Sequence, residues 1–225
     1  MKRMVFSFAL VFVVAMFTPW GWAAEQHPET LQDIIEEELW IFFMEEPAGY
    51  LLEAREDFLN GDLQGASQNI QAGTIIMKLE THRAKGETKK ALNVSAKELK
   101  DLAKGIEKGS VASGGMLEEA FARAEYSLAR HHYQRALDYE ATGDYEKMAY
   151  AVDAAAAHLL YASFWAGRGL EEDDVVAVKE GRSIAKKLIQ GATWGPNKMT
   201  EAVRSIARGI QKLGKKIKPQ SKEGI

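Results

Sequence analysis

Glu125, His132, Asp153 and His158 are the side chains whose types and spacing could do chemistry in this sequence. Glu125 and His132 lie two helical turns apart, which sets them on one face of a helix. Folding the chain back about Gly143 as an antiparallel helical hairpin places Asp153 level with residue 133, beside His132 and Tyr133, and places His158 level with Leu128. A carboxylate near imidazoles and a phenol, held between helices, can bind a metal ion or a small polar ligand. The same groups can instead satisfy one another's hydrogen bonds and keep two helices in register while binding nothing. Two features weigh toward that second reading. No ExxH pair occurs twice, as a dinuclear carboxylate bundle requires, and an earlier copy of this unit carries Tyr50, Gln71 and Ile76 in place of His132, Asp153 and His158.

No phosphate-cradling glycine motif, serine elbow or HExxH occurs. The sequence therefore predicts no catalytic residue and no cofactor, and a protein that is not an enzyme.

The element that must position the four residues is the stretch from Met148 to Gly167, MAYAVDAAAAHLLYASFWAG. It is apolar on nearly every side, so it reads as the central helix of an all-α domain with other helices around it. Asp153 inside it would cost ~2.5–3.5 kcal/mol near a bilayer centre, which argues against a membrane span. Tyr126, Tyr133, Tyr145, Tyr150, Tyr161, Phe164 and Trp165 fall at helical spacings around it and read as interhelical packing rather than as a ligand pocket.

At the N-terminus, Met1-Lys2-Arg3, an apolar run to Phe17 and the small-x-small site Gly21-Trp22-Ala23 have the order of a secretory signal peptide over residues 1–23. The expectation is a periplasmic or secreted protein cleaved after Ala23 or Ala24, with an uncleaved anchor as the second reading because Trp20 and Trp22 are bulky neighbours for a cleavage site. The chain has no cysteine, so export brings no disulfide, no lipid-bearing cysteine and no thiolate metal site. The formal charge of −3 does not suggest a nucleic-acid partner. The charge is unevenly placed, however: the stretch 25–57 is strongly acidic, whereas Arg204, Arg208, Lys212, Lys215, Lys216, Lys218 and Lys222 crowd the C-terminus. Two solvated faces that attract each other account for this, and a weak contact of the basic C-terminal helix with an anionic surface is the functional alternative.

In chain order, a helix from Leu31 is expected to be interrupted or kinked at Pro47 and to stop at Asn60-Gly61. A second begins at the N-cap Asp62 and ends at Lys85-Gly86, and a third covers roughly 91–108 before the turn Gly109–Gly115. The pattern then recurs. Gly143-Asp144-Tyr145 stands 82 residues (143 − 61) after Gly61-Asp62-Leu63, and the same offset pairs Ala54 with Ala136, Ile70 with Val152 and Gly109 with Gly191. This predicts a duplicated three-helix unit, about 30–115 and 116–196, then a capping helix over 197–217 and a basic tail at 218–225, seven helices forming one domain over 24–218.

The turn ALDYEATGDYEKMAYAVDAA, with Ala136, Tyr139, Gly143, Tyr145, Val152 and Ala155, resembles the hairpin of a tetratricopeptide repeat, although Met148 replaces the usual small residue and the unit is longer. The exported, cysteine-free, duplicated helical architecture with its G-D turns is similar to the YfdX family of bacterial periplasmic proteins. That resemblance implies a stress-linked, non-enzymatic role. Taken together, the expectation is a helical-repeat protein that acts through a protein partner, as a scaffold or chaperone. The alternative is a metal or small-ligand carrier using Glu125, His132, Asp153 and His158.

Overall fold

The computed structural model describes residues 43–111, 113–167, 169–192 and 196–217. The expected signal segment, the start of the first helix and the basic tail lie outside these. Among the described residues the fold is all-α, with seven helices and no strand. They are α1 (Glu46–Asn60), α2 (Leu63–Arg83), α3 (Gly86–Glu107), α4 (Gly114–Thr142), α5 (Tyr145–Trp165), α6 (Glu172–Ile189) and α7 (Pro196–Gly214).

The helix breaks repeat atom for atom. Gly61 and Gly143 both close their helices in the left-handed region, with φ of 83° and 75°, which favours glycine. The following Asp62 and Asp144 each cap the next helix, accepting from Gly65 N at 2.8 Å and from Lys147 N at 3.1 Å. Gly109 and Gly191 repeat the pattern at the next turn, donating to Ile106 O and to Leu188 O. α2 and α5 therefore span equivalent positions, and α7 begins where a third copy of α4 would begin.

Pro47 sits in the first turn of α1, where no intrahelical amide is lost. One local difference from the expectation has a simple cause. Gly86 opens α3 rather than merely closing α2. It adopts φ +54°, and the following Glu87 places a carboxylate on the first turn.

Each helix packs on its neighbours in the chain, and α7 turns back onto α5 and α4. One apolar core, with Leu51, Ile70, Met77, Leu99 and Phe121, lies among α1–α4. A second, with Met148, Val152, Leu159, Val178 and Ile206, lies among α4–α7. Along α4 the first core ends at Leu128 and the second begins at Ala129. α5 is the central helix, buried along most of its length, and Ala154–Ala157 keep its surface low enough for close neighbours. Among the described residues no helix is long and apolar enough to cross a membrane.

Candidate functional site

At the seam between the two cores the chain buries charge. Glu80 comes from α2, Glu125, His131 and His132 from α4, and His158 from α5, and all five are at most 1 % exposed. Each arrives there by helical periodicity. Ala66, Ile70, Gly73 and Met77 form the buried stripe of α2, and Glu80 is its next member. On α4 the buried face is unusually wide because helices of both cores lie against it, so the adjacent His131 and His132 are both enclosed.

The hydrogen bonds run in two short chains. His158 Nε2 lies 2.6 Å from the carbonyl oxygen of Met44, which can only accept, so that nitrogen carries a hydrogen. His158 Nδ1 donates to Glu125 Oε2 at 2.6 Å. Two acceptors facing the two ring nitrogens favour the imidazolium form of His158. Burial opposes its charge, but the Glu125 carboxylate and the Met44 carbonyl outweigh burial and push its pKa up. In the other chain His131 Nε2 donates to Glu80 Oε2 at 2.9 Å.

His132 lies between these chains and belongs to neither. Its ring stacks on His158 at a centroid distance of 5.3 Å, and its Nε2 stands 3.4 Å from Glu80 Oε1, close enough for attraction but without hydrogen-bond alignment. Neither ring nitrogen has a hydrogen-bond partner, and Glu125 Oε1 has none either. Burial, with the neighbouring His131 and His158 rings and the Arg135 and Arg83 guanidinium groups, holds the His132 pKa well below the imidazole range, which favours the neutral ring. Each buried polar atom left unpaired costs about 1–3 kcal/mol. Such atoms are few in folded proteins, and a bound group or an ordered water is the usual partner.

Of the four residues singled out by spacing, Glu125, His132 and His158 thus come together, and Asp153 does not. Asp153 faces α6, where Arg182 Nε donates to it at 2.8 Å, and the same guanidinium holds both oxygens of Glu45 at 2.6 Å. Reflection about Gly143 sets the level of a residue along the hairpin, not the side of the central helix from which it projects. Glu80 and His131 complete the cluster and were not anticipated. The periodic stripe of α2 points to Glu80; a wide buried face on α4, the signal for His131, is visible only once both cores are in place.

Chemically, two imidazoles and a carboxylate can bind a metal ion, and the lone pairs can receive a donor ligand. Among the described residues nothing beside them resembles a nucleophile with its base. No protein family, no curated protein and no solved structure matches this chain.

Proposed function

We propose that this protein is a carrier, which holds a metal ion or a small polar ligand in the sealed cluster between its two repeat units and binds it rather than transforming it. The observation that carries this reading is His132, fully buried with neither ring nitrogen hydrogen-bonded and stacked on the His158 ring that Glu125 holds. A bound ligand would supply the partners that the fold withholds. Export belongs to the same proposal, on the strength of the leader pattern at residues 1–23. Native mass spectrometry of the protein purified without chelator tests it: a stoichiometric adduct, lost in His132→Gln, supports the carrier, and a bare mass in both counts against it.

Protein interaction is the second reading, and one surface favours it. Shallow depressions of about 360 and 420 Å³ adjoin on the outer side of α5 and α6, sharing Leu160 and Arg182. One half is apolar, with Leu52, Tyr161 and an exposed Phe164, and the other is basic, with Lys179 and Lys186. Such a surface suits an acidic, partly apolar segment of a partner, and it is where a scaffolding or chaperone-like role in envelope stress would act. Suppression of aggregation of an unfolded client protein, abolished by Phe164→Glu, is the result this reading requires. The basic C-terminal helix is a poorer candidate for an anionic surface, since Lys212 is already held by both oxygens of Asp174 at 2.8 Å.

A further inference from the structure

Among the described residues one set of metal-ligating side chains converges: Glu80, His131 and His132 each bring a donor atom within 4.8 Å of the other two. We propose that these three bind a single divalent transition-metal ion of the zinc class, and that the ion ties the first repeat unit to the second. The inference rests on the carrier reading and names its cargo.

Convergence alone would not select an ion, because histidines and carboxylates also pair with each other. The independent observation is again His132. Its neighbour His131 is hydrogen-bonded to Glu80, yet His132, at the same depth and 3.4 Å from the same carboxylate, makes no hydrogen bond through either ring nitrogen. Glu80 offers one oxygen to each ring, Oε2 to His131 at 2.9 Å and Oε1 to His132 at 3.4 Å. An ion entering there would take the place of the His131 Nε2 hydrogen, which leaves to solvent as a proton or moves to Nδ1, and would accept one lone pair from each ring and at least one from the carboxylate.

The donor set chooses the class of ion. Two imidazole nitrogens with one carboxylate oxygen suit Zn²⁺, Co²⁺, Ni²⁺ or Cu²⁺. Calcium takes ~6–8 oxygen ligands and magnesium a near-octahedral set of oxygens, and this cluster cannot provide either. The chain has no cysteine, so the thiolates that favour copper(I) are missing as well. Three protein donors leave a fourth tetrahedral position for water or an exchangeable ligand, the form expected of a site that loads and releases.

Loading requires movement. Bonds of about 2.0–2.1 Å put tetrahedral donors about 3.3 Å apart, so atoms now spread over as much as 4.8 Å must draw together and the Glu80–His131 hydrogen bond must open. The glutamate chain on α2 is long enough to make that adjustment. The His132 ring needs less freedom, because His158 lies flat against it and is itself fixed by Glu125 and Met44. Glu125 and His158 are thus positioning residues, one layer out from the ion. Glu80 belongs to the first repeat unit and the histidines to the second, so the ion would join the two cores and stabilise the folded chain in proportion to its concentration.

The test uses the full chain, stripped with chelator and titrated with Co²⁺ and with Zn²⁺. The expected result is one ion per chain, visible d–d bands of four-coordinate cobalt, and a rise in melting temperature with zinc. His132→Gln and Glu80→Gln should each weaken zinc binding by more than the ~10–100-fold typical of losing an outer-layer partner, and Glu125→Gln should fall within that range. Should these variants unfold, X-ray absorption on the zinc-loaded unmodified protein still decides the matter, since two imidazoles and oxygen donors are required in the first shell. Absence of stoichiometric binding, a first shell without two imidazoles, or unchanged affinity in folded His132→Gln overturns the ion site. If zinc and cobalt fail while a small polar molecule is retained and is lost in His132→Gln, the carrier reading stands and the ion inference falls. If nothing is retained at all, both fall.

Discussion

His132 lies flat against His158, with ring planes 9° from parallel and centroids 5.3 Å apart, although the pKa of one ring is pushed down and that of the other, held by Glu125, is pushed up. The stack orders the cluster: protonating His132 would bring a second positive charge onto the first, and burial adds to that penalty.

Opposite pH dependences follow for the two rings. The His132 pKa is depressed in the folded state, so its contribution to stability is present above the unfolded imidazole value of about 6.5 and is lost as pH falls below it. His158 is raised, so its contribution is complete below that value and is lost as pH rises through the folded pKa. Chemical denaturation of metal-free protein from pH 5 to 8 checks both signs. The stability of the unmodified chain relative to His132→Gln should fall on acidification, and relative to His158→Gln it should fall on going alkaline.

The Glu125–His158 pair should be strongly non-additive. Glu125→Leu leaves the His158 cation buried without its counter-charge, a loss of about 3–5 kcal/mol. Pairing it with His158→Leu removes the stranded charge and should recover much of that loss. A double-mutant cycle measured by urea denaturation reads the coupling, and simple additivity would show that the 2.6 Å contact carries no energy.

Arg182 works elsewhere. It joins Asp153 of the central helix to Glu45, just ahead of α1. Arg182→Ala should speed amide hydrogen exchange over residues 45–50 and cost about 1 kcal/mol, a modest figure because the Glu45 end is open to solvent. Asp153→Asn should leave zinc affinity within about twofold of the unmodified chain, since sites without shared partners act independently.

Packing of α6 on α7 leaves no room at Gly181, where an added Cβ would sit 3.3 Å from the backbone of Ala202. Backbone cannot turn aside as a side chain can, and Gly181→Ala should cost about 1–3 kcal/mol. Gly49, in α1 with nothing within 4 Å of such a Cβ, predicts the reverse: Gly49→Ala should stabilise by about 0.5–1 kcal/mol. Thermal melts of the two variants read both signs.

Much of this architecture is legible in the sequence because turn chemistry is local. Gly61-Asp62 and Gly143-Asp144 announce their own left-handed closure and their own cap, and the structure realises both. The polar cluster is only half legible. Periodicity assigns Glu125, His132 and His158 to buried faces without saying which faces meet. The 33 residues between Glu125 and His158 are bridged through the hairpin, but the 51 between Glu80 and His131 are bridged only by docking one repeat unit onto the other. Asp153 shows the limit in the other direction. It is apolar in context and polar in kind, and only the position of Arg182 across the helix pair reveals that its partner is a guanidinium and not a histidine.

The most direct measurement is the metal content and native mass of three proteins purified side by side without chelator: the unmodified chain, His132→Gln and Asp153→Asn. The account predicts one divalent transition-metal ion per chain in the unmodified protein and in Asp153→Asn, and none in His132→Gln. An ion-free mass in all three, or an ion kept by His132→Gln and lost from Asp153→Asn, would contradict it.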